Sequence, residues 1–65
     1  MNYRLTHDEL LEYNKPRVLA ILTAQTAKRG FCTPEDITRR LNLSAAQLIE
    51  IRDILLSEGK IEPAP

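Results

Sequence analysis

The apolar positions of this chain fall into helical runs bounded by unusually complete start and stop signals. Thr6 and Glu9 stand three apart, the spacing at which a threonine hydroxyl and a glutamate cap a helix start reciprocally, so a short helix is expected over 6–14. Asn14-Lys15-Pro16 follows. Proline lacks an amide hydrogen and disfavours helical backbone in the residue before it, yet it suits the first turn of a new helix. The sequence therefore predicts a break or kink there and a second helix over 16–29. Gly30 ends that helix in the left-handed conformation, with Lys28 and Arg29 placed favourably in its last turn.

Phe31 and Cys32 read as extended. Thr33-Pro34-Glu35-Asp36 then combines a capping hydroxyl, a proline at the first helical position and two carboxylates in the first turn, which starts a helix over 33–41. That helix places Ile37 and Leu41 on one face. Asn42 tolerates the left-handed conformation, Leu43 tucks inward from the turn, and Ser44 with Gln47 forms another capping pair. The last helix runs over 44–58 and is closed by Gly59. Lys60-Ile61-Glu62 alternates like a very short strand, and Pro63-Ala64-Pro65 is a tail.

On a helical wheel the last helix turns Leu48, Ile51 and Leu55 inward and Ala46, Glu50, Asp53 and Ser57 outward. Ile49, Ile54 and Leu56 lie outside the core stripe. Either they cover Leu10, Leu11, Val18, Leu19 and Leu22 of the preceding helices, or Ile49 and Leu56, with Asp53 beside them, mark an interface. Ala20, Ala24 and Ala27 form a small-residue face that permits close approach of another helix.

Composition narrows the picture. Sixty-five residues make one domain, 1–65, and cores below roughly 70–80 residues usually need a disulfide, a metal, a partner or very regular helix packing. Cys32 is the single cysteine and His7 the single histidine, so neither a disulfide nor a Cys/His metal site is expected, and no cofactor. The longest apolar stretch, Val18 to Leu22, falls far short of the roughly 20 residues of a membrane span. Charge appears before any signal-peptide core can form, which points to a soluble, cytoplasmic protein. Net charge is zero but unevenly spread: −2 over 1–14, +4 over 15–40 and −2 over 41–65. The basic middle is able to face phosphate.

The order helix, short strand, helix, three-residue turn, helix, short strand resembles the winged-helix branch of the helix-turn-helix superfamily. Gly30 to Ser44 and its continuation to Glu62 are similar to bacterial winged-helix repressors, the N-terminal DNA-binding domain of the SOS-response repressor in particular. The shared features are a glycine, apolar, threonine, acidic-Ile, basic-Leu run and a closing Gly-x-Ile-Glu. The resemblance covers about residues 16–62. It implies a mainly all-α fold: a compact three- to four-helix, winged-helix-like helix-turn-helix with at most a tiny two-stranded sheet. Four residues follow Ile61, two of them proline, so a truncated wing is expected.

In that family the last helix enters the major groove, which implies a bacterial or phage transcription regulator binding double-stranded DNA. By position Ser44, Ala45, Ala46, Gln47 and Glu50 then lie nearest the base edges. Gln47 suits adenine and Glu50 suits the cytosine amino group. Arg39, Arg40, Lys28 and Arg29 would hold the backbone. Against this, Gln47 also serves as the Ser44 cap partner, and Arg39 and Arg40 favour a helix C-terminus whatever the function. Arg52 is expected to lie along the core and pair with an acid. Glu50 and Asp53 repel phosphate, which a homodimer would partly offset by doubling the basic contacts. The alternative is a protein–protein interaction module, or a regulatory subunit, docking a partner through the acidic and apolar last helix. No enzyme is expected: His7 and Cys32 lack orienting partners, and the chain is too small to enclose a substrate.

Overall fold

The computed structural model describes residues 1–64; Pro65, the end of the expected tail, lies outside the described residues. Three helices form: α1 over His7–Arg29, α2 over Pro34–Leu41 and α3 over Ala45–Ser57. The fold is all-α, and no strand forms among the described residues.

The first correction concerns Pro16. The two helices expected over 6–14 and 16–29 are one continuous helix of 23 residues, capped by the Thr6 hydroxyl, which accepts from the Glu9 amide at 3.3 Å. Pro16 removes the donor for the Glu12 carbonyl, a fault that in a helix interior costs about 3 kcal/mol. Two features hold the helix together across it. Pro16 sits on the exposed side, where water reaches the freed carbonyl, while Leu11, Asn14, Val18, Leu22 and Gln25 form one inward stripe spanning the proline. Next to the gap, Arg17 Nη1 donates to the Tyr13 carbonyl at 2.7 Å, and its guanidinium lies 3.6 Å over the Tyr13 ring. Packing of the stripe outweighs the local preference of proline.

The remaining helix ends follow their local chemistry. Gly30 leaves α1 with φ 85°, its amide donating to the Thr26 carbonyl at 2.8 Å. Thr33 caps α2 reciprocally: its hydroxyl accepts from the Asp36 amide at 3.4 Å, and the Asp36 carboxylate accepts from the Thr33 amide at 3.1 Å. Asn42, at φ 55°, turns the chain toward α3. Beyond α3, Gly59 at φ 72° sends its amide to the Leu56 carbonyl, and the Lys60 amide reaches the Leu55 carbonyl at 3.0 Å. This pair of bonds is the Schellman arrangement, which needs a residue free to adopt positive φ.

That arrangement also accounts for the second correction. The expected strand segments Phe31-Cys32 and Lys60-Ile61-Glu62 do not pair. The Lys60 amide is spent on the helix end, and two- or three-residue segments leave too few bonds to hold a ladder. Ile61 instead folds back onto the core, as does half-buried Cys32. Val18, Ile37, Leu48, Ile51 and Leu55 make up the buried core, with at least one residue from each helix. Leu41 and Leu43 close it at the turn.

Candidate nucleic-acid interface

The corner between α2 and α3 is shaped by its caps. Asn42, Leu43 and Ser44 separate the helices, and the Ser44 hydroxyl accepts from the Gln47 amide at 3.2 Å. Gln47 Oε1 in turn accepts from the Ser44 amide at 3.1 Å and from the Ser44 hydroxyl at 3.2 Å. Pairing with adenine through a glutamine uses the amide oxygen and nitrogen together. Here the oxygen is already engaged, and Gln47 is half-buried. Ala45 and Ala46 are exposed, and their small side chains leave the first backbone amides of α3 open to solvent.

The cations predicted as phosphate contacts divide into two sets. Arg39 and Arg40, at the end of α2, are exposed and make no ion pair or side-chain hydrogen bond among the described residues. Lys28 is likewise exposed and without such a partner, but it sits at the end of α1. Arg29 is engaged: Nη1 meets Asp36 Oδ2 at 3.1 Å, and the guanidinium lies 4.5 Å over the Phe31 ring. The contact with Asp36 places Arg29 beside the start of α2, away from Arg39. The Thr33 amide and hydroxyl, with Arg29 and Arg40 nearby, hold the Asp36 carboxyl below its ordinary range.

The acidic face of α3 differs most from expectation. Glu50 Oε2 lies 2.7 Å from His7 Nε2, and eight residues further along each helix Glu58 Oε2 accepts from Lys15 Nζ at 2.6 Å. Both contacts join positions 43 apart in the chain. The first half of α1 therefore runs parallel to α3 in a constant register, clasped by the two contacts. Asp53 is met by the neighbouring Arg52 at 3.1 Å, the acid partner expected for that arginine. Lys60 also reaches Glu58, at 3.3 Å. Three of the four carboxylates of the C-terminal third thus face a basic group.

Nothing in the sequence links His7 with Glu50 or Lys15 with Glu58. No local spacing rule reaches across 43 residues. Of the expected interface residues, Ile49 is 46% exposed, whereas Leu56 is half-buried. Burial, with the nearby Asp36, pushes the Cys32 thiol above its ordinary pKa, the direction that disfavours the thiolate. No helix among the described residues is long and apolar enough to cross a membrane. Comparison with family models, with curated proteins and with solved structures finds no match.

Proposed function

We propose that this chain is a small cytoplasmic DNA-binding domain of the helix-turn-helix kind, a winged-helix relative without a developed wing, acting in transcription regulation. It presents the end of α2 and the start of α3 to the duplex. The observation that carries the reading is the contrast among its cations. Lys15, Arg29, Arg52 and Lys60 are matched to carboxylates, while Arg39 and Arg40, without an ion pair among the described residues like Arg4, Arg17 and Lys28, stand exposed at the end of α2, just before the turn into α3. Arg39 and Arg40 hold phosphates, the open amides of Ala45 and Ala46 add a further anion contact, and Ser44 fixes the helix start.

The charge objection to this surface is weakened by the seam. Asp53 faces Arg52, and Glu50 is hydrogen-bonded to His7, an imidazole that offsets its charge only when protonated. The same matching argues against the competing reading, in which an acidic α3 docks a basic partner. With Gln47 Oε1 committed to its cap, base reading is modest and backbone contact supplies most of the affinity.

The test is an ¹⁵N titration with a mixed-sequence duplex at low ionic strength. Shifts are expected on Arg39, Arg40 and Ser44 to Glu50. The Arg39→Glu, Arg40→Glu double variant should lose most of the affinity and flatten the slope of log K against log salt by about 2. Absence of shifts, or unchanged binding in the double variant, removes the proposal.

A further inference from the structure

The start of α3 carries a short apolar strip on its outer face. Ala45 and Ala46 are exposed, and Ile49 keeps 46% of its surface open to solvent. Spacings of four and three residues place Ile49 beside both alanines on one side of the helix. The strip begins directly after Ser44, at the end of a helix whose first residues approach base edges in a helix-turn-helix.

The polar side chains beside the strip are engaged within the protein. Gln47 Oε1 accepts from the Ser44 amide and the Ser44 hydroxyl. Glu50 Oε2 lies 2.7 Å from His7 Nε2, and Asp53 meets Arg52 at 3.1 Å. What the start of α3 offers outward is therefore mainly methyl and methylene surface. Its position is also distinctive: exposed Arg39 and Arg40 come just before the turn, and the carboxylates of Glu50 and Asp53 come after it along the helix.

A DNA duplex supplies counterparts for both features at once, phosphates for the arginines and an apolar group at the base edge. In the major groove that group is the C5-methyl of thymine, which distinguishes A·T pairs there and is read by apolar contact. We propose that Ala46 and Ile49 read thymine methyl groups, so that this protein selects its duplex by apolar contact instead of by paired hydrogen bonds to bases. The inference rests on the nucleic-acid reading and names the base chemistry that the presented helix recognises.

The experiment measures fluorescence anisotropy at low ionic strength with two A·T-containing duplexes, identical except that deoxyuridine replaces thymidine in one. The exchange keeps the pairing and the minor-groove edges and removes only the methyl. Each contacted methyl should be worth about fourfold in affinity, the value of one buried CH₂ group. Ile49→Ala changes an exposed position, so helicity by circular dichroism should hold while the preference for thymidine shrinks toward unity. Failure to bind either duplex overturns the inference together with the nucleic-acid reading. Equal affinity for the two duplexes, with binding still lost in the Arg39→Glu, Arg40→Glu variant, overturns the inference alone. A thymidine preference that Ile49→Ala leaves unchanged also overturns it, because the methyl is then read elsewhere.

Discussion

Along the seam between α1 and α3, His7 reaches Glu50 and Lys15 reaches Glu58 across 43 residues of chain, and the most deeply buried side chains, Val18, Ile51 and Leu55, belong to the same two helices. At the starts of α2 and α3 the capping bonds span three residues: Thr33 with Asp36, Ser44 with Gln47. The seam is built from distant groups that meet only after folding, the corner from neighbours in sequence. Charges follow the same division. The seam uses its acids and bases on each other, and the corner leaves Arg39 and Arg40 unengaged. This contrast predicts that the seam carries more of the stability of so small a domain than the corner does.

Removing a buried side chain from the seam should break this division most severely. Leu55 is fully buried, and a Leu→Ala change at such a position costs about 2–5 kcal/mol. That is comparable to the roughly 3–5 kcal/mol a core this small supplies. Leu55→Ala should abolish the cooperative thermal transition seen by circular dichroism. A sharp transition only slightly lowered in midpoint would mean that stability does not reside in the seam.

The corner should respond more mildly. Ser44→Ala removes one cap, worth about 0.5–2 kcal/mol. At about 4–8 °C per kcal/mol for a domain of this size, the melting midpoint falls but the transition stays cooperative. Hydrogen exchange should quicken in the first turn of α3 and little elsewhere. If Ser44→Ala proved as damaging as Leu55→Ala, the contrast between the two regions would collapse.

The same contrast explains what could be read in advance. Thr33, Asn42, Ser44, Gly30 and Gly59 act through backbone bonds a few residues away, so their roles are visible in the order of residue types. Leu48, Ile51 and Leu55 are legible for a related reason: helical period alone puts them on one face. Pro16 misleads because its local preference is real but weaker than the packing of the stripe from Leu11 to Gln25, which no window around the proline reveals. The expected strands mislead because Lys60-Ile61-Glu62 alternates, while the Lys60 amide is claimed by a helix end. For the candidate interface, the positions of Arg39, Arg40, Ser44, Ala45 and Ala46 are legible. The engagement of Arg29, Gln47 and Glu50 is not, because it depends on which residues the completed fold brings alongside.

The smallest expected effect separates the regions by pH. The hydrogen bond from Lys15 holds the Glu58 carboxyl below its ordinary 4.5, and the same bond holds the Lys15 amine above 10.5. Asp36 is held below 3.8, first by the Thr33 amide. For the two carboxylates the unfolded chain takes up a proton at higher pH than the folded one. Their contribution is therefore complete above the ordinary carboxylate range and is lost as pH falls through the folded values. Lys15 behaves oppositely: its contribution is complete below 10.5 and is lost as pH rises through its raised value. The seam pair thus shapes both limbs of the stability profile, the α2 cap only the acid limb. Glu58→Gln should flatten the acid and alkaline limbs of the denaturation midpoint together, and Asp36→Asn the acid limb alone. Because these groups are solvent-accessible, added salt should shrink the seam effect. An alkaline limb that survives Glu58→Gln unchanged would show that Lys15 draws nothing from the seam, and that α1 and α3 are joined there by apolar packing alone.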